Sequence, residues 1–187
     1  MKTKRVSSHL NNRGFSLMEL IVVMAIMVVL VAVVFASSSI MDSSYVKEVE
    51  RGIEDYVSLA RSKSMSVSAK EWFMVLTTED DTYVAKLCKT TEETVEGTTE
   101  TKTVDVDRNE YNSKTTVVFN DGVSKWDIDK DTPLCIYFDS ATGKVKKVTV
   151  GGTEADITNG IGRIEISSGS YDIVMKLFYN TGKCERE

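Results

Sequence analysis

The sequence has one histidine and one proline, and each scarcity excludes a class of protein. The histidine, His9, lies in a basic stretch at the N-terminus. Beyond it the chain cannot form a Ser-His-Asp or Cys-His catalytic site, or the commonest zinc sites. The proline, Pro133, cannot make a Pro-rich linker between domains, and a proline kink in the N-terminal half is excluded. We therefore expect no enzyme, no catalytic residues, no cofactor and no bound metal.

Acidic residues are absent from the first 14 positions. These positions hold four basic residues, Lys2, Lys4, Arg5 and Arg13, and therefore carry +4. Residues 15–187 hold the other 19 basic residues and all 28 acidic ones, a balance of −9, whereas the whole chain carries −5. An acidic surface does not supply the Lys and Arg contacts to phosphate that give most nucleic-acid affinity. We expect no direct binding of nucleic acid.

Charge is also absent from an apolar run between Leu20 and Ala36. A helix from Phe15 to Ala36 is about 33 Å long, enough to cross a hydrocarbon core of roughly 30 Å. A secretory signal peptide has a shorter apolar core and a small-residue cleavage site, which fit poorly here. Positive charge before the span predicts a cytoplasmic N-terminus and an outer C-terminal part. The pattern predicts a single-pass protein of the cytoplasmic membrane.

One carboxylate, Glu19, stands at the start of this span. A charge within a membrane span costs free energy, so such residues are usually functional or paired. The segment that contains it reads Arg13-Gly14-Phe15-Ser16-Leu17-Met18-Glu19-Leu20 and continues into the apolar run. This segment resembles the N-terminus of type IV pilins and type II secretion pseudopilins. The alternative interpretation is a plain signal anchor with an incidental glutamate.

The resemblance implies three site residues. A prepilin peptidase would cleave between Gly14 and Phe15, and Phe15 would become the N-methylated N-terminus. Glu19 would be the acidic fifth residue of the product, and it could pair with the amine of a neighbouring subunit to set the register of assembly. Such a buried pair specifies register more than it adds stability. The expected partners are prepilin peptidase, the inner (cytoplasmic) membrane, and other pilin or pseudopilin subunits that bind through the N-terminal helix.

Apolar residues continue after the span at spacings of three and four, with charged residues between them. This pattern predicts an amphipathic helix, continuous with the span from Phe15 to Val67. Its apolar positions are Tyr45, Val46, Val49, Ile53, Tyr56, Val57, Ala60 and Val67. The expected organisation is a cleaved leader at 1–14, a transmembrane or filament-core helix at 15–36, an amphipathic half of the same helix at 37–67, and a β-rich globular domain at 68–187.

The globular part consists of short runs of β-branched and aromatic residues separated by turn residues, which predicts strands. The predicted strands are Glu71–Thr77, Thr82–Lys89, Thr115–Asn120, Val123–Ile128, Leu134–Phe138, Lys144–Val150, Gly160–Ser167 and Tyr171–Tyr179. Together with the helix they predict an α+β, pilin-like fold, with the long N-terminal helix packed on an antiparallel β-sheet or β-sandwich. Thr90–Thr103 has almost no apolar residue, and we expect an exposed loop there.

Two late segments narrow the resemblance. Leu134–Phe138, with a turn ending at Gly143, and the ending Leu177–Lys183 are similar to H-type minor pseudopilins and T-type minor pilins. This similarity implies a minor structural subunit of a type II secretion pseudopilus or a type IV pilus. The alternative function is a fibre-tip module in which the sheet domain and the Thr90–Thr103 loop bind a surface, an exported protein or DNA. The sequence leaves open which machine the protein serves.

Two residue sets could carry further chemistry. Asp127, Asp129 and Asp131 alternate as in a calcium-binding loop, but the glycine at position six and the acid at position twelve of an EF-hand are missing, so we favour a solvated strand face. Cys88, Cys135 and Cys184 allow three disulfide pairings, and free cysteines are equally compatible with the sequence. By analogy with pilins whose C-terminal segment is tied down, Cys135 with Cys184 is the first expectation.

Overall fold

The computed structural model describes residues 16–67, 70–80, 82–95, 98–111 and 114–187. One long helix is followed by antiparallel strands, so the predicted α+β, pilin-like architecture is confirmed. The elements are α1 (Leu17–Ser66), β1 (Trp72–Glu79), β2 (Thr82–Val95), β3 (Thr98–Tyr111), β4 (Thr116–Asn120), β5 (Lys125–Asp127), β6 (Leu134–Phe138), β7 (Val145–Val150), β8 (Thr153–Glu154), β9 (Ile161–Ser168), β10 (Tyr171–Phe178) and β11 (Lys183–Arg186).

The chain divides after Ser38 into two compact units. In the N-terminal unit, the first half of α1 is long and apolar enough to cross a membrane, judged by length and composition alone. Its side chains from Leu17 to Phe35 are exposed. This half of the helix therefore leaves its apolar surface open.

In the C-terminal unit, Ser39–Glu187, the second half of α1 buries one face. The buried positions recur every three or four residues, as the amphipathic pattern predicts: Val46, Val49, Ile53, Tyr56, Val57 and Ala60. Two predicted members of this face differ, since Tyr45 is half-buried and Val67 is exposed just after the helix ends. The apolar spacing therefore identifies the centre of the buried face better than its ends.

The strands form two antiparallel sheets. The six-stranded sheet has the order β3-β2-β1-β6-β7-β8, and the five-stranded sheet has the order β11-β10-β9-β4-β5. Side chains from both sheets and from α1 join in one hydrophobic core. Strand alternation explains the burial, because Ile164 and Ile166 on β9 face the core while Arg163, one position before Ile164, is exposed. Ile161, at the start of β9, has the opposite parity and is only half-buried.

The prediction of a loop at Thr90–Thr103 is wrong. β2 continues to Val95 and β3 begins at Thr98, with Thr90 paired to Thr103 and Val95 to Thr98. The Thr90 amide donates to the Glu71 carbonyl, just before β1 begins. The hairpin continues past this bond and therefore extends beyond the start of the neighbouring strand β1. A two-stranded ribbon satisfies its backbone by cross-strand pairing, and threonine favours extended backbone. The lack of apolar residues in this segment is therefore compatible with a paired ribbon, and it did not indicate a loop.

Candidate functional site

The start of α1 holds the predicted site residue Glu19 in a reciprocal pair of hydrogen bonds with Ser16. The Glu19 amide donates to Ser16 Oγ at 3.2 Å, and the Ser16 amide donates to Glu19 Oε2 at 3.0 Å. The Ser16 carbonyl accepts the first helical bond, from the Leu20 amide, at 3.2 Å. Ser16 is therefore the N-cap of α1, and with Glu19 three positions later it forms a capping box.

This arrangement gives Glu19 a local role that our sequence interpretation missed. The pair satisfies two amides at the helix start, and a carboxylate in the first turn also interacts favourably with the helix dipole. A carboxylate can accept several hydrogen bonds, so the bond to Ser16 leaves capacity for a cation. The S-x-x-E pattern before an apolar run is the signal that could have revealed the capping box.

The other two predicted site residues, Gly14 and Phe15, lie outside the described residues. Of the three predicted site residues, the structure describes Glu19. It does place Glu19 in the first turn of an exposed apolar helix. The features available to a partner here are one carboxylate and the apolar surface that follows it.

Three contacts hold the second half of α1 in the C-terminal unit. A Cβ added at Gly52 would lie 2.2 Å from the ring of Tyr111, the last residue of β3, so only glycine allows this close approach. Arg61 Nε donates to the Gly143 carbonyl at 3.1 Å. Ser64 Oγ donates to the Trp72 carbonyl at 3.1 Å, at the start of β1. These contacts join the helix to three separate segments of the sheets.

A buried carboxylate, Asp121, ties two turns of the five-stranded sheet together. It accepts backbone N–H bonds from Val123 at 2.8 Å and Ser124 at 2.6 Å, within the β4–β5 turn. Its other oxygen accepts the Asp156 amide at 2.8 Å, from the segment before β9. Burial alone would raise the pKa of Asp121, but the backbone donors outweigh burial and hold the pKa below its ordinary value. Asp121 is therefore a structural carboxylate.

The calcium interpretation finds no support among the described residues, which contain no group of three or more His, Cys, Asp or Glu side chains arranged for a metal. Asp127 ends β5, but Asp129 and Asp131 lie in the following turn, so the three do not share a strand face as expected. Asp129 Oδ1 accepts the amides of Asp131 and Thr132, each at 2.8 Å. The hydrogen bond from the Thr132 hydroxyl, together with these two amide bonds, lowers the pKa of Asp129. Its carboxylate closes the turn.

The three cysteines are free, so the expected disulfide between Cys135 and Cys184 is not formed. Cys135 lies in the six-stranded sheet, paired with Val75 and Thr149, while its neighbours along β6 face the core. Cys184 lies in the five-stranded sheet, paired with Leu177. Strand alternation turns Cys135 away from the core to which Cys184 contributes. Burial raises the pKa of Cys88 and of Cys184 to about 12, so neither is an activated thiol.

Comparison with known proteins points to the N-terminus. A family model described as the prokaryotic N-terminal methylation motif matches residues 9–35. The match includes Gly14, Phe15 and the capping box, and it covers the exposed apolar side chains from Leu17 to Phe35. No curated protein and no solved structure matches the chain at a significant level. The chain therefore carries the N-terminal methylation motif of type IV pilins and pseudopilins, at the head of an α+β, pilin-like architecture.

Proposed function

We propose that the protein is a structural subunit of a type IV pilus or a type II secretion pseudopilus. Prepilin peptidase removes residues 1–14, methylates Phe15, and leaves a single-span membrane protein that later enters a fibre. The observation that carries the proposal is the methylation motif at residues 9–35, whose matched segment contains the exposed apolar part of α1. An apolar surface of this size needs either lipid or other apolar helices around it. No catalytic role is proposed for any residue.

The organisation of the chain follows from this proposal. Residues 15–36 span the membrane and later enter the filament core, residues 37–67 are the amphipathic half of α1, and residues 68–187 form the globular domain. The four basic residues before the span favour a cytoplasmic N-terminus, with the globular domain on the periplasmic or extracellular side. Within the class, we propose a minor subunit of the H or T type, supported by the sequence similarity of Leu134–Phe138 and of the ending at Leu177–Lys183.

Glu19 is proposed to recognise the N-terminal amine of a neighbouring subunit. Cleavage before Phe15 creates a cationic amine four residues from Glu19 in the sequence. Inside an apolar bundle, an unpaired carboxylate is costly and an opposite charge at the same depth offsets that cost. The capping bond to Ser16 fixes the carboxylate at the helix start, and its remaining acceptor capacity is available to the amine.

Two substitutions test this pairing role. Glu19→Val should leave membrane insertion intact or improved but weaken incorporation into the fibre, because it removes the charge. Glu19→Gln keeps an acceptor for the Ser16 amide and removes only the charge, so it should show the same loss of incorporation. Glu48→Gln, on the exposed face of the same helix, is the matched control. Quantifying each variant in sheared fibres gives the answer, and unchanged co-assembly of both Glu19 variants would refute the pairing.

A fibre-tip binding module is the second candidate. The observation that favours it is the β2–β3 ribbon, which continues past Trp72, the first residue of β1, and so extends beyond the neighbouring strand, as a segment that contacts a surface or an exported protein would. Shortening the ribbon by deleting residues 92–101 separates the two functions. Retained assembly with lost adhesion or uptake favours the binding module, whereas unchanged adhesion and uptake favour a purely structural subunit.

A further inference from the structure

The two sheets have four edges, and one edge strand is much longer than the others. Three edges end in short strands, since β5 has three residues, β8 has two and β11 has four. The fourth edge strand, β3, has 14 residues and pairs only with β2 among the described strands. Short edge strands limit pairing with other chains, whereas a long one presents a row of unpaired N–H and C=O groups. β3 is therefore the edge to which another strand can be added.

Two amides near the end of β3 are bonded to side chains of their own strand. The Arg108 amide donates to Asp107 Oδ1 at 3.0 Å, and the Glu110 amide donates to Asn109 Oδ1 at 3.1 Å. In an antiparallel pair, amides two residues apart lie on the same edge of their strand. Because these two amides are occupied by neighbouring side chains, we assign them to the edge that faces away from β2. The carbonyl groups of an incoming strand can replace these acceptors without breaking the β2–β3 pairing.

A groove lies between this part of β3 and α1, within the C-terminal unit. Its volume is about 600 Å³. Asn109 and Tyr111 line it on the β3 side, and Ile40 and Ser44 are among the residues that line it on the α1 side. Asn109 and Tyr111 are two positions apart, so the groove lies on the face of the sheet that they share. Every second side chain of a strand added beside residues 107–111 would point towards the same face and enter the groove.

The charges around the groove have a small acidic excess. Burial raises the pKa of Tyr111, and three nearby carboxylates raise it further: Asp55, Glu48 and Asp107. Two basic residues, Lys47 and Arg51, also line the groove, but the Lys47 ammonium lies 5.9 Å from the centre of the Tyr171 ring. Three acids against two bases leave −1 around the groove. A lysine or arginine side chain in a bound segment would complement this excess.

We propose that an extended segment of an exported protein adds a strand to β3 beside residues 107–111 and places a basic side chain in the groove. The inference rests on the second candidate function, the fibre-tip binding module, and names its partner. In this mode of recognition, main-chain hydrogen bonds supply affinity and alternate side chains supply specificity. The register shift that leaves Val106 without a β2 partner marks the start of the site. A second copy of this chain is disfavoured as the partner, since residues 15–187 carry −9 and two copies repel each other.

Binding of a probe peptide to the full chain in detergent tests the site. The probe is a fluorescent, proline-free peptide of threonine, valine and lysine, and fluorescence anisotropy measures its affinity. A version with every backbone amide N-methylated keeps the side chains but cannot donate main-chain hydrogen bonds, so it should not bind. A version with glutamate in place of lysine should bind about fivefold more weakly or worse. The probe should also slow hydrogen exchange of the Arg108 and Glu110 amides. No binding of the probe, or equal binding of the N-methylated version, overturns the proposal.

Two substitutions in the protein locate the bound peptide. Arg108→Pro removes one outward N–H, which an edge strand tolerates, and should weaken binding about tenfold, roughly the effect of one hydrogen bond. Ser44→Trp fills the groove from the α1 side without altering β3, so it remains informative if Arg108→Pro does not fold, and it should weaken binding at least as much. Ser58→Trp, exposed on α1 outside the groove, is the matched control. Wild-type affinity in Ser44→Trp, or in a folded Arg108→Pro protein, overturns the proposal.

Photo-cross-linking in fibre-producing cells identifies the partner. A benzophenone amino acid in place of Val106, which is exposed beside the site, should cross-link to an exported protein at a segment that contains lysine or arginine. The same amino acid in place of Val123, on the β4–β5 turn, is the control. Ser44→Trp should reduce the Val106 product about fivefold or more. Products with fibre subunits alone, or products that Ser44→Trp leaves unchanged, overturn the inference. A chain found in fibres that does not bind the probe rejects the inference alone, whereas a chain that binds the probe but is absent from fibres rejects the proposed function.

Discussion

The two halves of α1 contain similar apolar residues and have opposite surroundings. In the first half, side chains such as Leu30 remain 56% exposed, whereas Val46, Val49 and Ile53 in the second half are fully buried. The second half alternates apolar with charged positions and meets two sheets, but the first half is apolar all round. A helix that is apolar all round requires an apolar surrounding. The comparison indicates that one half stabilises the folded unit and that the other leaves its apolar surface open for the contacts with lipid and neighbouring subunits that we propose.

The largest expected effect comes from making the same substitution, leucine to alanine, once in the buried core and once in the exposed half of α1. Leu177→Ala removes a fully buried side chain and should reduce the free energy of unfolding of the C-terminal unit by about 2–5 kcal/mol. Leu30→Ala should leave that free energy unchanged, because Leu30 is outside the core. Urea unfolding of the full chain in detergent can be followed by tryptophan fluorescence, since both tryptophans, Trp72 and Trp126, lie in the C-terminal unit. Equal losses of unfolding free energy in Leu177→Ala and Leu30→Ala would contradict the division into a buried and an exposed part.

The next effect concerns the close contact of Gly52 with Tyr111. Alanine favours helix by about 1 kcal/mol over glycine, so Gly52→Ala would stabilise α1 if the contact were loose. The Cβ would instead lie 2.2 Å from the Tyr111 ring, and overpacking typically costs about 1–3 kcal/mol. We expect net destabilisation in the same unfolding assay. Ser44→Ala, exposed on the same helix, is the control, and a more stable Gly52→Ala protein would show that the ring moves away freely.

The sequence predicted the interior of the fold better than its edges. Leu134–Phe138 was predicted with its observed bounds because its burial alternates cleanly along the strand. β11 was missed because Lys183–Arg186 is short and charged, and only its pairing with β10 makes it a strand. The Cys135–Cys184 pairing was wrong because spacing along the chain does not reveal which face of which sheet a cysteine occupies. At the candidate site, the sequence motif around Glu19 was enough to predict its role in assembly. Its hydrogen bond with Ser16 was not predicted, because the resemblance to pilins already accounted for a glutamate at this position.

A smaller effect should appear at acid pH through Asp121. Its pKa is below the ordinary value of about 3.9, so its stabilisation is complete above that value and is lost as the pH falls through the folded-state pKa. Asp121→Asn should lower stability at pH 7 by about 1.5–3 kcal/mol, the usual value of hydrogen bonds to a charged group. The variant's free energy of unfolding should also fall less steeply than that of the wild type as the pH is lowered into the acid range. Asp172→Asn, an exposed carboxylate on β10, is the control, and an acid limb unchanged in Asp121→Asn would refute the assignment.

The smallest effect concerns the capping box at the start of the exposed half. Ser16→Ala removes the acceptor for the Glu19 amide and should weaken the first turn of α1 by about 1 kcal/mol. Ser16→Thr keeps the hydroxyl and should retain most of the protection. Hydrogen exchange of the Glu19 and Leu20 amides in micelles measures the difference, with the amides of the C-terminal unit as an internal reference. Equal exchange in wild type and Ser16→Ala would show that the box does not hold the helix start.

The N-terminus of the protein recovered from membranes tests the central claim most directly. Intact-mass and peptide mass spectrometry should find a chain of 173 residues (187 minus 14) that begins at Phe15 with one methyl group on its amine. Loss of 14 of the 187 residues from a 20.8 kDa precursor corresponds to about 1.6 kDa. A mature chain that still begins at Met1, or one cut elsewhere than between Gly14 and Phe15, would contradict the assignment to the pilin and pseudopilin class.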